Sequence, residues 1–279
     1  MRIICISDIH GNLPALEAVL ARANALSPDL ILSLGDQIGF GPQPREVLEL
    51  LAAQEIPCLM GNHEVRQNDY MKKRDPQLET AINFAAVRQI QTRIDEKPFR
   101  LPVSHQIEEI TFAHAAPDDP IAHLSTLAER EAALSRTKTR YLVCGHQHVQ
   151  LSYALDGQTM YIIGSVGMAE NGIPGTAQFA QIDIERGGVN VTPMLVSYDP
   201  SPVREAFVKN GFADACPIMA RICWESIRYC ECDLLRFFAH LKDMRAQRNE
   251  AEITPENWRA AADTFAWRTD GAWETYWKK

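Results

Sequence analysis

"RIICISDIHG", residues 2–11, runs an apolar, strand-like stretch straight into an aspartate and a histidine two positions apart. The next segment, "LPALEAVLARANAL" (13–26), sets Leu16, Val19, Leu20, Ala23 and Leu26 at helical spacing. A second strand, "DLILSL" (29–34), precedes "PREVLELLAAQEI" (44–56), a helix with Pro44 near its start, where a missing N–H is harmless. "PCLM" (57–60) reads as a third strand. Strand, helix, strand, helix, strand is the βαβ arrangement, so the opening half belongs to the α/β class. "ITFAHA" (110–115) and "YLVCG" (141–145) add two more strands.

Beyond residue 150 the pattern becomes mainly antiparallel. "QLSYAL" and "QTMYIIGSVG" flank Asp156-Gly157, the strongest short hairpin signal. "AQFAQIDIE" and "VNVTPMLVSY" form a second pair around Arg186-Gly187-Gly188. From about Asp199 the chain reads as helical and aromatic-rich, and it holds Trp224, Trp258, Trp267, Trp273 and Trp277. These features divide the chain into a domain over residues 1–199 and a helical, Trp-rich extension over 200–279. In the extension, Ile218, Ile222, Ile227, Leu234 and Phe238 recur at near-helical intervals, Trp224 and Phe237 widen the stripe, and Thr254-Pro255 reads as an N-cap followed by the first helical residue. Three readings fit so apolar a surface: packing on its own domain, a cap over a cleft, or a homodimer interface.

Composition narrows the class. The 279 residues are 46% hydrophobic and 23% charged, as in ordinary globular proteins. A net charge of −8 argues against a nucleic-acid-binding surface, which rewards basic patches. No segment has the length and apolarity of a membrane span, and the N-terminal residues do not read as a signal peptide. The seven cysteines are odd in number and include no CxxC. "CEC" (230–232) reads as part of a reduced helix, which favours a cytoplasmic protein.

A polar cluster follows each early strand: "SDIHG" with Asp8 and His10, "GDQIG" with Asp36, "GNHE" with Asn62, His63 and Glu64, "FAHAAP" with His114, and "GHQH" with His146 and His148. Ligands of open α/β sheets gather outside the carboxyl ends of strands, so these clusters should converge. On an extended chain, residues i and i+2 point the same way, so each D-x-H or H-x-H pair should reach one pocket. His105, His123 and His240 have no such context. Oxygen and imidazole ligands without thiolate suit Mn²⁺, Fe, Zn²⁺ or Ni²⁺, with Mn²⁺ favoured.

The ordered set D-x-H, G-D, G-N-H-[DE], H and G-H-x-H resembles the calcineurin-like metallophosphoesterases, in particular their small bacterial-type branch. The resemblance extends over roughly residues 1–195. It implies a two-sheet β-sandwich flanked by helices and a dinuclear centre. One cation would take Asp8, His10, Asp36 and His148, the other Asp36, Asn62, His114 and His146, with Asp36 bridging. It further implies hydrolysis of phosphodiesters or phosphomonoesters by metal-bound hydroxide. His63, outside the ligand set, would lie at the rim and protonate the leaving alkoxide; the alternative is a loop-stabilising histidine. The chain departs from the protein Ser/Thr phosphatases, whose "GDxVDRG" is here "GDQIGFG", with Gly39 and Phe40 in place of Asp and Arg. That favours a small-molecule or nucleotide-like substrate. Phe40 is the candidate to stack on a ring of the substrate. Arg66 is a candidate phosphate-binding cation or a solvated surface arginine. A Ser/Thr protein phosphatase and a non-catalytic metal-binding scaffold with a partner-binding extension remain the rival readings.

Overall fold

The computed structural model describes residues 1–73, 98–273 and 275–278. Two sheets form the centre. The first has the order β2 (Leu30–Ser33), β1 (Arg2–Ile6), β8 (Thr176–Glu185), β9 (Gly188–Ser197). The second runs β3 (Ser104–Ile107), β4 (Ile110–Ala113), β5 (Tyr141–Cys144), β7 (Gln158–Ile163), β6 (Gln150–Leu155). Within the first sheet β1 and β2 are parallel, and within the second β4 and β5 are. Antiparallel hairpins supply the outer strands β6 and β9: β6–β7 closes around Asp156-Gly157, and β8–β9 around Arg186-Gly187.

The apolar run of β1 has no polar face because both of its faces are covered. Ile3 and Cys5 point between the sheets, where they meet Leu32, Phe112, Val143 and Ile182. Ile4 and Ile6 point outward against Leu16, Val19 and Leu20 of α1 (Leu13–Asn24) and Val47 of α2 (Pro44–Ala53). On the far side, Leu142, Met160 and Ile162 pack against Ala133 and Leu134 of α4 (Leu127–Ser135). The expected two-sheet α/β sandwich with flanking helices is the observed fold. It places the C-terminal ends of β1, β2, β4 and β5 along one edge.

Two expectations are corrected. "PCLM" is not a strand: a single parallel bridge joins Cys58 to Ser33, with Ser33 N donating to Pro57 O and Leu59 N to Ser33 O. Pro57 has no N–H to offer, and Met60 N already turns to Pro102 O, so pairing ends after one step. The stretch still delivers Asn62, at the start of α3 (Asn62–Lys73).

The second correction lies in the C-terminal region, which comprises α5 (Ser201–Lys209), α6 (Phe212–Ala215), α7 (Pro217–Tyr229), α8 (Asp233–Arg248) and α9 (Pro255–Thr264). The supposed continuous stripe breaks at Cys230, which takes a left-handed C-cap conformation (φ 52°), so "CEC" is a turn between α7 and α8. The break resets the helical register. Ile218, Ile222 and Ile227 stay buried, but on α8 the buried face is Phe237, Leu241 and Met244, while Leu234 and Phe238 are only half-covered. Thr254 caps α9 as read, within a capping box closed by Asn257. All seven cysteines are free. Among the described residues no helix is long and apolar enough to cross a membrane.

The helices of this region cover one another. Phe237 is fully buried, with Trp258, Phe265 and Trp267 ring centroids at 4.8, 5.1 and 5.9 Å. Phe237→Ala removes the ring that these three share. It should cost about 3–5 kcal/mol, read as a lower guanidinium midpoint by tryptophan fluorescence.

Candidate metal centre

Four of the residues singled out by the motifs sit in the left-handed backbone region: Asp8 (φ 54°), His10 (φ 49°), Asp36 (φ 53°) and His146 (φ 67°). Non-glycine residues rarely hold that conformation, and it persists where surrounding hydrogen bonds impose it. Here Asp8 N donates to Gly35 O, His10 N to Asp36 O, and His146 N to the Asp8 carboxylate. The extended-chain argument for the D-x-H and H-x-H pairs is therefore wrong in its cause. β1 ends at Ile6 and β5 at Cys144, and tight loops rather than a pleat aim these side chains.

The side chains converge as two groups. In the first, His10 Nε2 lies 3.0 Å from His148 Nε2, and Asp8 Oδ1 lies 3.8 and 3.5 Å from those same nitrogens. In the second, Asn62 Oδ1 lies 2.9 Å from both His114 Nε2 and His146 Nδ1, which are themselves 3.2 Å apart. Asp36 Oδ2 stands between them, 3.9 Å from His10 Nε2 and 3.5 Å from His114 Nε2. Of the sequence candidates, the structure thus brings together Asp8, His10, Asp36, Asn62, His114, His146 and His148.

His63 and Phe40 adjoin this group, and Arg66 lies outside it. His63 Nε2 is 3.9 Å from Asp36 Oδ2, but only 5% of His63 is exposed, so it lies in the floor rather than at an open rim. Phe40 encloses it, with ring centroids 4.7 Å from His63 and 5.0 Å from His10. Arg66 is exposed on α3, close enough for its charge to act on His63.

The electrostatics follow from packing carboxylates and imidazoles in one dry cleft. Burial pushes the Asp36 carboxyl up, but His114, His63 and His10 outweigh it and hold it well below the usual range. Burial also depresses His114, yet Asp36 and Asp8 reverse this and raise it to about 9. Burial and the charge of His63 take His10 down to about 3. His63 is lowered to about 4 by burial, against the pull of Asp36.

The donor set fits divalent cations. Nitrogen and oxygen lone pairs approach at contact distance, which needs a proton or a cation between them. Asp8 Oδ1 is buried with no hydrogen-bond donor. The ligand types are carboxylate, imidazole and an amide oxygen, suited to Mn²⁺, Fe or Zn²⁺.

Glu64, the last residue of the GNHE motif, has a structural part that the motif does not state. It is fully buried, and its carboxylate accepts from Asp36 N (3.0 Å), Gly61 N (2.9 Å) and Ile38 N (3.2 Å). It clamps the loop that carries Asp36. Glu170 touches His148 Nδ1 at 3.4 Å and was missed altogether, since it lies in an irregular stretch with no motif.

Comparison with known proteins bears on the family and the fold. The family described as calcineurin-like phosphoesterase matches residues 1–150. An uncharacterized protein of Methanocaldococcus jannaschii is 26% identical over 233 residues, covering 75% of this chain and 92% of that one. A metallophosphoesterase from Sphaerobacter thermophilus superposes with a TM-score of 0.63 at 26% identity, covering 76% of this chain and 95% of its own. A hypothetical protein from Pyrococcus horikoshii gives a TM-score of 0.64 at 20% identity, covering 78% and 97%, a likeness of fold.

Glu64→Ala leaves three buried N–H groups without an acceptor, each costing about 1–3 kcal/mol. Glu64→Gln keeps one acceptor oxygen. Thermal unfolding of metal-free protein should show the larger drop for Glu64→Ala and an intermediate one for Glu64→Gln.

Proposed function

The chain belongs to the calcineurin-like phosphoesterase family, and on that footing we propose that it is a dinuclear metal-dependent hydrolase of small phosphoesters. The observation that carries the reading is the position of Asp36, whose Oδ2 lies between His10 of one ligand group and His114 of the other. Asp8, His10, Asp36 and His148 would hold one cation; Asp36, Asn62, His114 and His146 would hold the second. Two such cations, Mn²⁺ favoured, would supply Lewis-acid polarisation of the phosphoryl oxygens and a water acidic enough to attack near neutral pH. Residues 1–199 would form the catalytic domain and 200–279 a helical extension.

The chain's own residues would orient the ester and manage the leaving group. As the phosphorus–oxygen bond breaks, the departing alkoxide needs a proton, and His63 is an imidazole beside Asp36 that is not assigned to a cation. Burial lowers the His63 pKa to about 4, so the ring itself favours the neutral form at pH 7. A phosphate anion brought against it favours the protonated ring, which can then donate. Phe40 covers the same ring and offers an apolar edge to the substrate. Arg66, on the solvent side, would meet the outer phosphate oxygens.

The substrate class follows from Gly39. A side chain begun there would meet His10 Nδ1 at 2.5 Å and His63 Nδ1 at 2.9 Å, so the loop has no room for the aspartate that protein phosphatases place at this point. With no arginine at position 40 either, a monoanionic diester loses less than a dianionic monoester. Small-molecule or nucleotide-like esters are favoured over phosphoproteins.

The test is protein stripped with chelator and reloaded with Mn²⁺. It should bind two ions per chain and hydrolyse bis-p-nitrophenyl phosphate at a rate at least comparable to that for p-nitrophenyl phosphate. Asp36→Asn should lose more metal than any other single change. One ion or none at saturation, or a clear preference for phosphoserine peptides, would overturn the reading.

His63→Ala should keep both metals and slow the hydrolysis of alkyl esters by about 10²-fold or more, with aryl esters affected less because their leaving groups need less protonation. Metal loss in that variant would make His63 a ligand instead.

A further inference from the structure

Outside the proposed ligand set, one carboxylate reaches it from a segment that carries no motif. Glu170 is joined to His148 twice: its backbone N–H donates to His148 O at 2.8 Å, and its Oε1 lies 3.4 Å from His148 Nδ1. That nitrogen is buried and makes no hydrogen bond among the described residues, so the Glu170 carboxylate is the acceptor within its reach. The opposite nitrogen, Nε2, is the one that faces His10 and Asp8.

Glu170 is in turn gripped from the C-terminal region. The Cys232 thiol, in the turn between α7 and α8, lies close enough to the carboxylate for each to shift the ionisation of the other. Two residues on, Gly172 N donates to Cys230 O, and the Cys230 thiol donates to Thr176 O. The turn itself is anchored by Arg268, which pairs with Asp233 at 2.8 Å. A continuous path thus runs from His148 through Glu170 to the helical extension.

We propose that Glu170 is a positioning residue for His148, and that the Cys230–Cys232 turn holds it in place. This rests on the dinuclear reading above. A carboxylate on Nδ1–H of a ligating imidazole fixes its tautomer, so that Nε2 keeps its lone pair, and it restricts the ring to one orientation. The extension would then act on one of the two cation sites, the one that includes His148, without touching the other.

Manganese titration of metal-free, full-length protein by calorimetry separates the possibilities. Wild type should show two binding steps. Glu170→Ala should weaken one of them by about 10–100-fold and leave the other unchanged. Glu170→Gln keeps an acceptor oxygen and should lose less than about tenfold at the same step. Cys232→Ala should shift that step in the same direction by a smaller factor. In a His148→Ala background, which retains the second site, adding Glu170→Ala should change nothing further, because the two act through one ring.

Metal-free Glu170→Ala should melt only slightly below wild type, because the change removes one partly exposed ion pair with His148 and no core packing. Equal weakening of both steps with a large fall in melting point would reduce Glu170 to a structural role and overturn the proposal. So would an effect that persists in the His148→Ala background, or two steps unchanged in Glu170→Ala. An unaltered Cys232→Ala titration would overturn the part assigned to the turn. A wild type that binds no Mn²⁺ would instead sink the dinuclear reading, and this inference with it.

Discussion

Everything at the edge of the sandwich depends on keeping two carboxylates, Asp8 and Asp36, ionised where water does not reach. Both are essentially unexposed, and burial alone would protonate them. Imidazoles reverse that balance: His114 and His148 act on Asp8, and His114, His63 and His10 on Asp36. The carboxylates in turn raise His114 and His148. Neither set is tolerable without the other, so the cluster is a single electrostatic unit. Its geometry is held by backbone: four members in left-handed conformations, braced by loop-to-loop hydrogen bonds and by three N–H groups converging on Glu64. Removing one partner from such a site leaves a buried charge uncompensated.

The rigid sandwich makes this arrangement affordable. β1 is buried on both faces and bonded on both edges, to β2 in parallel and β8 in antiparallel register. Its end is therefore fixed, and the loop leaving it can hold strained backbone. Gly145 shows how closely the two sheets approach at this edge. A Cβ there would collide with Ser7 Oγ and the Asp8 carboxylate, so the H-x-H loop reaches the D-x-H loop only without a side chain.

The fold and the convergence of the site were legible because they rest on strong periodic signals. Apolar strands, amphipathic helices and an Asp-Gly hairpin carry local information, and each metal-capable cluster follows a strand or strand-like run directly. What the sequence hid was non-local. The i, i+2 pairs were read from a pleat, whereas the residues lie in left-handed turns that no periodicity reports. "PCLM" looked like a strand by composition, but Pro57 and the demand of Met60 for Pro102 O limit it to one bridge. The α7–α8 break at Cys230 is a left-handed cap on a residue that does not advertise one; on α8 it leaves Phe237 buried with Leu241 and Met244, while Leu234 and Phe238 are only half-covered. Glu170 has no motif, and only the folded chain brings it to His148.

The extension solves its own burial problem, and the solution bears on the cleft. Arg221 has no exposed surface, yet every face of its guanidinium is used: Nε on Glu225, Nη1 on Gly271 O, Nη2 on Thr269, with Trp267 and Tyr276 rings each 4.2 Å away. A buried cation so fully partnered ties residues 267–276 to α7 and needs no outside surface to cover it. Trp258, Trp267 and Trp277 pack against phenylalanine and tyrosine rings of the same region. Points of contact with the first 199 residues include four near the cleft edge: Met168 and Phe40 against the aromatic cluster, Asn210 on Pro42 O, and the Cys230–Cys232 turn beneath Glu170. Three of these four flank the metal-capable cleft, on the loop after Asp36 and on the segment beneath His148. Because Gly39 admits no side chain, the wall of the cleft on that side is Phe40, and Phe40 is backed by the extension rather than by the sandwich. The cleft's charged floor therefore comes from the α/β edge, and the support of its aromatic wall comes from the last 80 residues.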